Sequence, residues 1–126
     1  MIFDTDVLIW ALRGNERAAR AIDAAPDRAL SIVSLMELLQ AARSKPEARQ
    51  IIQQSLRQLQ FRVLPLSEAI GAAAFALMEQ HALAHGIQLA DALIAATAKE
   101  SGLPFCTGNA KHFRPIRGLP CVVFRP

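Results

Sequence analysis

The amino-acid sequence predicts a three-layer α/β domain with a central, mainly parallel sheet. Short apolar runs of strand length alternate with helical patterns along all 126 residues, the order of a βαβ chain. No Asn-Gly or Asp-Gly signal joins one apolar run to the next, as tight antiparallel hairpins would require. At 52% hydrophobic and 20% charged residues, the chain has the composition and length of one globular domain, residues 1–126.

Ile2 and Phe3 form the first strand, ended by Asp4, and Val7 to Leu12 follow as a helix that Gly14 closes. A second helix runs from Glu16 to Ala25 and stops at Pro26, ahead of a second strand over Ala29 to Val33. Ser34 opens the helix SLMELLQAAR, which ends before Pro46; a further helix from Glu47 to Leu59 keeps Ile51, Ile52, Ser55 and Leu59 near one face. Phe61 to Leu66 is the third strand, and Ser67 caps a long Ala-rich helix that Gly86 terminates. Ala90 to Ser101 make the next helix, closed by Gly102, and Pro104 to Thr107 and Cys121 to Phe124 complete the strands. Ala72, Ala73, Ala74 and Ala76, then Ala92, Ala95, Ala96 and Ala98, permit close helix packing.

Composition narrows the function classes. Cys106 and Cys121 are the only cysteines, too few for a disulfide scaffold and in keeping with a reducing cytoplasm. The run AIGAAAFALM between Glu68 and Glu79 is about half the ~20 residues of a membrane span, and the opening MIFDTD lacks the basic start of a secretory signal. Lys plus Arg number 14 against 11 Asp plus Glu, a formal +3. The excess gathers in Arg43, Lys45, Arg49, Arg57 and Arg62 and in Lys111, Arg114, Arg117 and Arg125, as either solvated faces or a footprint for an anionic polymer.

With so few acids, those at apolar positions stand out. Asp4 ends a strand and precedes a helix, where ligands collect in open parallel sheets, although a helix N-cap explains it equally well. Asp6 reads as a dipole partner of the same helix. Glu37 lies between Met36 and Leu38, and Ser34 three residues earlier offers a capping box. Asp91 sits in LADALIAATA with no Lys or Arg within a turn, an expensive place for an uncompensated charge. Asp4, Glu37 and Asp91 all fall near helix starts, which share one edge of a parallel sheet. Converging carboxylates call for a divalent cation, and hard oxygen ligands select Mg²⁺ or Mn²⁺. The chemistry this implies is metal-assisted phosphoryl hydrolysis, which needs no Ser, Cys or His nucleophile. Thr107-Gly108-Asn109, followed by Lys111 and His112, offers polar groups for a metal-bound water or a phosphate, or is an ordinary turn.

These segments resemble the PIN-domain family, and within it the VapC toxins of type II toxin–antitoxin pairs. The resemblance is carried by MIFDTDVLIWAL, SIVSLMELL, LADALIAATA and FCTGNAKHF, in that order and over nearly the whole chain. It implies a PIN-like α/β/α fold and a Mg²⁺- or Mn²⁺-dependent endoribonuclease in which Asp4, Glu37 and Asp91 hold the metal. By the same resemblance Asn109 edges the site, with Thr5 and Thr107 in support, and the partners are RNA, a VapB-like antitoxin and a second copy of the chain. The family pattern carries a fourth carboxylate at or three residues beyond the Thr-Gly-Asn position, where this sequence has Asn109 and His112.

Two other readings follow from the same residues. Asp4-Thr5-Asp6 resembles the DxD of haloacid-dehalogenase-like phosphatases, with Asp4 as nucleophile, but Leu8 stands where that family expects Thr or Val. A non-catalytic RNA- or protein-binding module is the other. His81 and His85 have the four-residue spacing of a zinc pair without a third ligand, and Trp10 and Phe75 read as core or interface residues rather than stacking platforms.

Overall fold

In the computed structural model, which describes residues 1–126, five short strands form one parallel sheet in the order β3-β2-β1-β4-β5. The strands are β1 (Ile2–Phe3), β2 (Ala29–Ser31), β3 (Arg62–Leu64), β4 (Phe105–Thr107) and β5 (Cys121–Val123). Ile2 pairs with Ala29 on one side and Phe105 on the other. The chain therefore runs outward from β1 through β2 to β3, then crosses back to the other side of β1 to lay down β4 and β5, so the topological switch point lies between β1 and β4. That crevice, at the carboxyl ends of the strands, is where open α/β sheets bind ligands.

Seven helices cover the two faces: α1 (Thr5–Leu12), α2 (Glu16–Asp23), α3 (Ile32–Ala41), α4 (Lys45–Gln53), α5 (Glu68–His85), α6 (Leu89–Ser101) and α7 (Ala110–Phe113). Alternation along the strands divides the core. Ile2, Ala29 and Phe105 point into a cluster with Ile70, Ala74 and Leu77 of α5 and Ala92, Ala95, Ala96 and Ala98 of α6. Their neighbours Phe3, Leu30 and Cys106 point into a second cluster with Val7, Leu8, Ala18 and Ile22 of α1 and α2. The four α6 alanines are completely buried, so the small side chains bring that helix close to the sheet and to α5.

The three-layer architecture agrees with the expectation from the sequence; several boundaries do not. Helix α3 begins at Ile32 rather than Ser34, because the Ser31 hydroxyl accepts the Val33 N–H and caps it. The strand expected to reach Val33 accordingly ends at Ser31. Helix α3 ends at Ala41, ahead of Pro46 as expected, but the next helix starts at Lys45 rather than Glu47 and takes Pro46 into its first turn, since Ser44 caps it and proline is tolerated there. The expected run to Leu59 breaks into α4 and a π-helical turn, Gln54–Gln58. Phe75 and Trp10 are not core residues, being 67% and 39% exposed. Helix α7, a single turn not anticipated from the sequence, is held by Phe113 stacked edge-on against Phe105, ring centroids 4.8 Å apart.

Phe105 is fully buried beneath α6 and α7. Phe105→Ala is expected to lower stability by about 3–5 kcal/mol, measured by urea unfolding, by loss of transfer energy and creation of a cavity.

Candidate active site

Asp4 leaves β1 at the switch point with both carboxylate oxygens engaged. Oδ1 accepts the Thr5 N–H at 2.8 Å, and Oδ2 accepts the Thr107 hydroxyl at 2.7 Å, from the end of β4. Asp4 thus caps α1 and also ties β1 to β4, so the N-cap and functional readings are compatible. The side chain is almost fully buried, and its pKa rises from an ordinary 3.8 to about 7. Burial is the main cause; the Asp6 charge adds to it, the two hydrogen bonds oppose it, and Asp91 adds a smaller push.

Thr5, the first residue of α1, reaches α3. Its Oγ1 lies 2.7 Å from Glu37 Oε1 and 2.9 Å from Ser34 Oγ. A threonine hydroxyl has one proton, and the charged carboxylate takes it in the shorter contact, leaving the Ser34 hydroxyl to donate in the other. Ser34 and Glu37 therefore form no capping box. Ser34 is buried inside α3, and Glu37, one turn further, is aimed by Thr5 toward the strand ends.

Asp91 enters from the opposite layer, in the first turn of α6. Its carboxyl pKa is raised, chiefly by burial, then by Glu37 and in smaller part by Asp6, while His112 lowers it. His112 Nδ1 stands 4.0 Å from Asp91 Oδ2 at the mouth of the pocket. Thr107 donates to Asp4 and accepts the Asn109 N–H at 2.9 Å, which shapes the turn after β4. Asn109 and Lys111 are exposed and touch none of the acids through a hydrogen bond or ion pair. They line a neighbouring cleft of about 410 Å³ with Gly108, His112, Arg114 and Arg125.

Asp6, read from the sequence as a dipole partner, belongs to this pocket. Its Oδ2 accepts the Gly108 N–H at 3.0 Å, and its Oδ1 is shut off from solvent with no hydrogen-bond partner. Its pKa is raised mainly by burial, against the N–H groups of Gly108, Val7 and Asp6 itself. The signal that singled out Asp91 applied here as well: Asp6 lies in an apolar helix with no cation before Arg13.

The chemistry of the pocket is that of hard oxygen. Cys106 and Cys121 are free thiols, and burial pushes the Cys106 pKa up to about 11, which removes a thiolate nucleophile. Asp4, with both oxygens engaged and nearly no exposure, is equally unsuited to attack phosphorus, against the phosphatase reading. The acids do not form a closed cage: no three His, Cys, Asp or Glu side chains are grouped tightly enough to hold an ion as they stand. Yet the orphaned Asp6 oxygen and the upward shifts of Asp4 and Asp91 both mark a site short of positive charge. A hydrated Mg²⁺ or Mn²⁺ suits such donors, because Mg²⁺ retains several waters and needs few direct carboxylates.

A parallel α/β/α sandwich carrying carboxylates at its switch point defines the class: the PIN domain profile matches residues 1–118, and the chain belongs to the PIN-domain family. Among relatives, it is 37% identical over 117 residues to Ribonuclease VapC10 of Mycobacterium tuberculosis, covering 90% of this chain and 85% of that protein. A toxin-antitoxin complex from Klebsiella pneumoniae superposes with a TM-score of 0.78 at 31% identity, over 97% of this chain and 95% of that one. VapBC2 from Rickettsia felis, bound to a DNA fragment from its promoter, shares the fold with a TM-score of 0.82 at 19% identity, covering 99% and 100% of the two chains.

Folded Asp4 holds its proton to a higher pH than the unfolded chain does, so metal-free stability is expected to fall as pH rises from 3.8 toward 7. Asp4→Asn should flatten that slope in urea or thermal unfolding measured across the same range.

Proposed function

We propose that this protein is a Mg²⁺- or Mn²⁺-dependent endoribonuclease, the toxin of a VapBC-like type II toxin–antitoxin pair. The observation that carries the reading is the convergence of Asp4, Glu37 and Asp91, from three elements and both layers, on the switch point between β1 and β4. Kinship to a ribonuclease over 90% of the chain supplies the substrate class.

Asp4, Glu37 and Asp91 would hold the cation, which when bound offsets charge on a phosphodiester and lowers the pKa of a water. The chain's own residues do the positioning. Thr107 locks one Asp4 oxygen in place, and Thr5 orients Glu37 from the first turn of α1. His112 stands 4.0 Å from Asp91 at the pocket mouth and lowers the pKa of that carboxyl. Lys111, Arg114 and Arg125 line the adjoining cleft with Asn109, a cationic wall suited to the phosphates flanking the cut. Bases are left to shape and loop access, as is usual where backbone contacts dominate.

A VapB-like antitoxin is one protein partner in this reading, supported by the likeness to a toxin–antitoxin complex, and a second copy of the chain is the other. Phe75, Leu83 and Leu89 are exposed by 67%, 104% and 64%, leaving apolar surface for a partner to cover. No helix is long and apolar enough to cross a membrane, and free cysteines accord with action in the cytoplasm.

Purified chain, free of any partner, should cut RNA with Mg²⁺ or Mn²⁺ and not with chelator. Asp91→Asn, still folded by circular dichroism, should lose activity on the order of a hundredfold or more, the scale of several kcal/mol of charge stabilisation. Intact RNA under every condition, from folded protein, would assign the chain to the non-catalytic binding modules instead.

A further inference from the structure

The turn after β4 brings no acid of its own to the pocket, because Gly108, Asn109, Lys111 and His112 are neutral or basic. What reaches the turn is Asp6, from α1 on the far side of the crevice. Its Oδ2 is committed to the Gly108 N–H. Gly108 is fitted to that approach, since a Cβ there would stand 2.7 Å from the same oxygen.

The other oxygen is the anomaly. Asp6 Oδ1 is buried without a donor, and no Lys, Arg or His forms an ion pair with Asp6. The charges that couple to it are those of Asp4 and Asp91, of the same sign. The carboxylate does feel the first-turn N–H groups of Val7 and Asp6, yet Oδ1 meets no donor at hydrogen-bond distance and is shut off from solvent, and an unspent buried oxygen is a cost that folding alone does not explain. A cation among Asp4, Asp6 and Asp91 satisfies that oxygen and removes the repulsion together.

We infer that Asp6 is a fourth carboxylate of the cation site: Oδ2 holds the Thr107-Gly108-Asn109 turn in place, and Oδ1 presents an anionic oxygen to the ion or to its bound waters. The inference rests on the metal-dependent reading above. Asp6 thereby fills, from α1, the acidic position that the β4 turn leaves vacant.

Titration calorimetry with Mn²⁺ alone, on the full chain and its Asp6→Asn and Asp91→Asn variants, tests it. Asn keeps a carbonyl oxygen for the Gly108 N–H, so the turn is retained while the anionic oxygen is lost. Asp6→Asn is expected to weaken Mn²⁺ binding about tenfold or more, while melting, metal-free, no lower than the parent. If it binds within about twofold of the parent while Asp91→Asn has lost Mn²⁺, Asp6 is no ligand and the rest of the site stands. If the parent binds no Mn²⁺, the inference and the metal-dependent reading fall together. Should Asp6→Asn fold poorly, Asp6→Ser is measured in its place, with the same loss expected and the same equality overturning the inference.

Discussion

The carboxylate of Asp4, sealed at the end of the central strand, organises the rest of the site. One of its oxygens starts α1 and the other reaches across the switch point to Thr107. Because α1 starts there, Thr5 comes within reach of Glu37 on α3, and Asp6 within reach of Gly108. Three connections, to α3, to β4 and to the turn after it, thus spring from the three successive residues Asp4, Thr5 and Asp6.

Such a site carries a thermodynamic tension. The fold buries carboxylates beside one another, gives Asp4 and Asp6 hydroxyl and backbone donors instead of cations, and gives Asp91 only the His112 imidazole at 4.0 Å. Those donors offset only part of the desolvation, which is why the pKa shifts run upward. Strands of two or three residues contribute little register stability by themselves, so the two apolar clusters on either side of the sheet hold the acids together against their repulsion. Stability and function pull in opposite directions within one pocket, a pattern common at sites built to bind charge.

The layers and most elements were legible in the sequence, because short apolar runs and Gly or Pro punctuation are local signals. Asp4, Glu37 and Asp91 were legible for a related reason: each is an acid in apolar company. Asp6 was not, since two residues past a cap is also where the dipole favours an acid, and what distinguishes it is a hydrogen bond to Gly108, 102 residues along the chain. The Ser34–Glu37 spacing misled in the opposite way, since Ser31 three residues earlier takes the cap and frees Ser34 to meet Thr5. Helix α7 escaped because one turn of AKHF has no periodicity to read, and Phe105 decides it from the core. Strand order likewise depends on packing between distant segments, which no local pattern encodes.

The central claim is that buried carboxylates at the switch point, with Asp4 still holding its proton near pH 6, await a divalent cation. Proton release on Mn²⁺ binding tests it most directly, by calorimetry of the parent chain in two buffers of different ionisation enthalpy. At about pH 6, below the raised Asp4 value of about 7, binding should expel close to one proton per site, and at about pH 9 none. Binding that expels no proton at either pH, or no binding at all, would contradict the account.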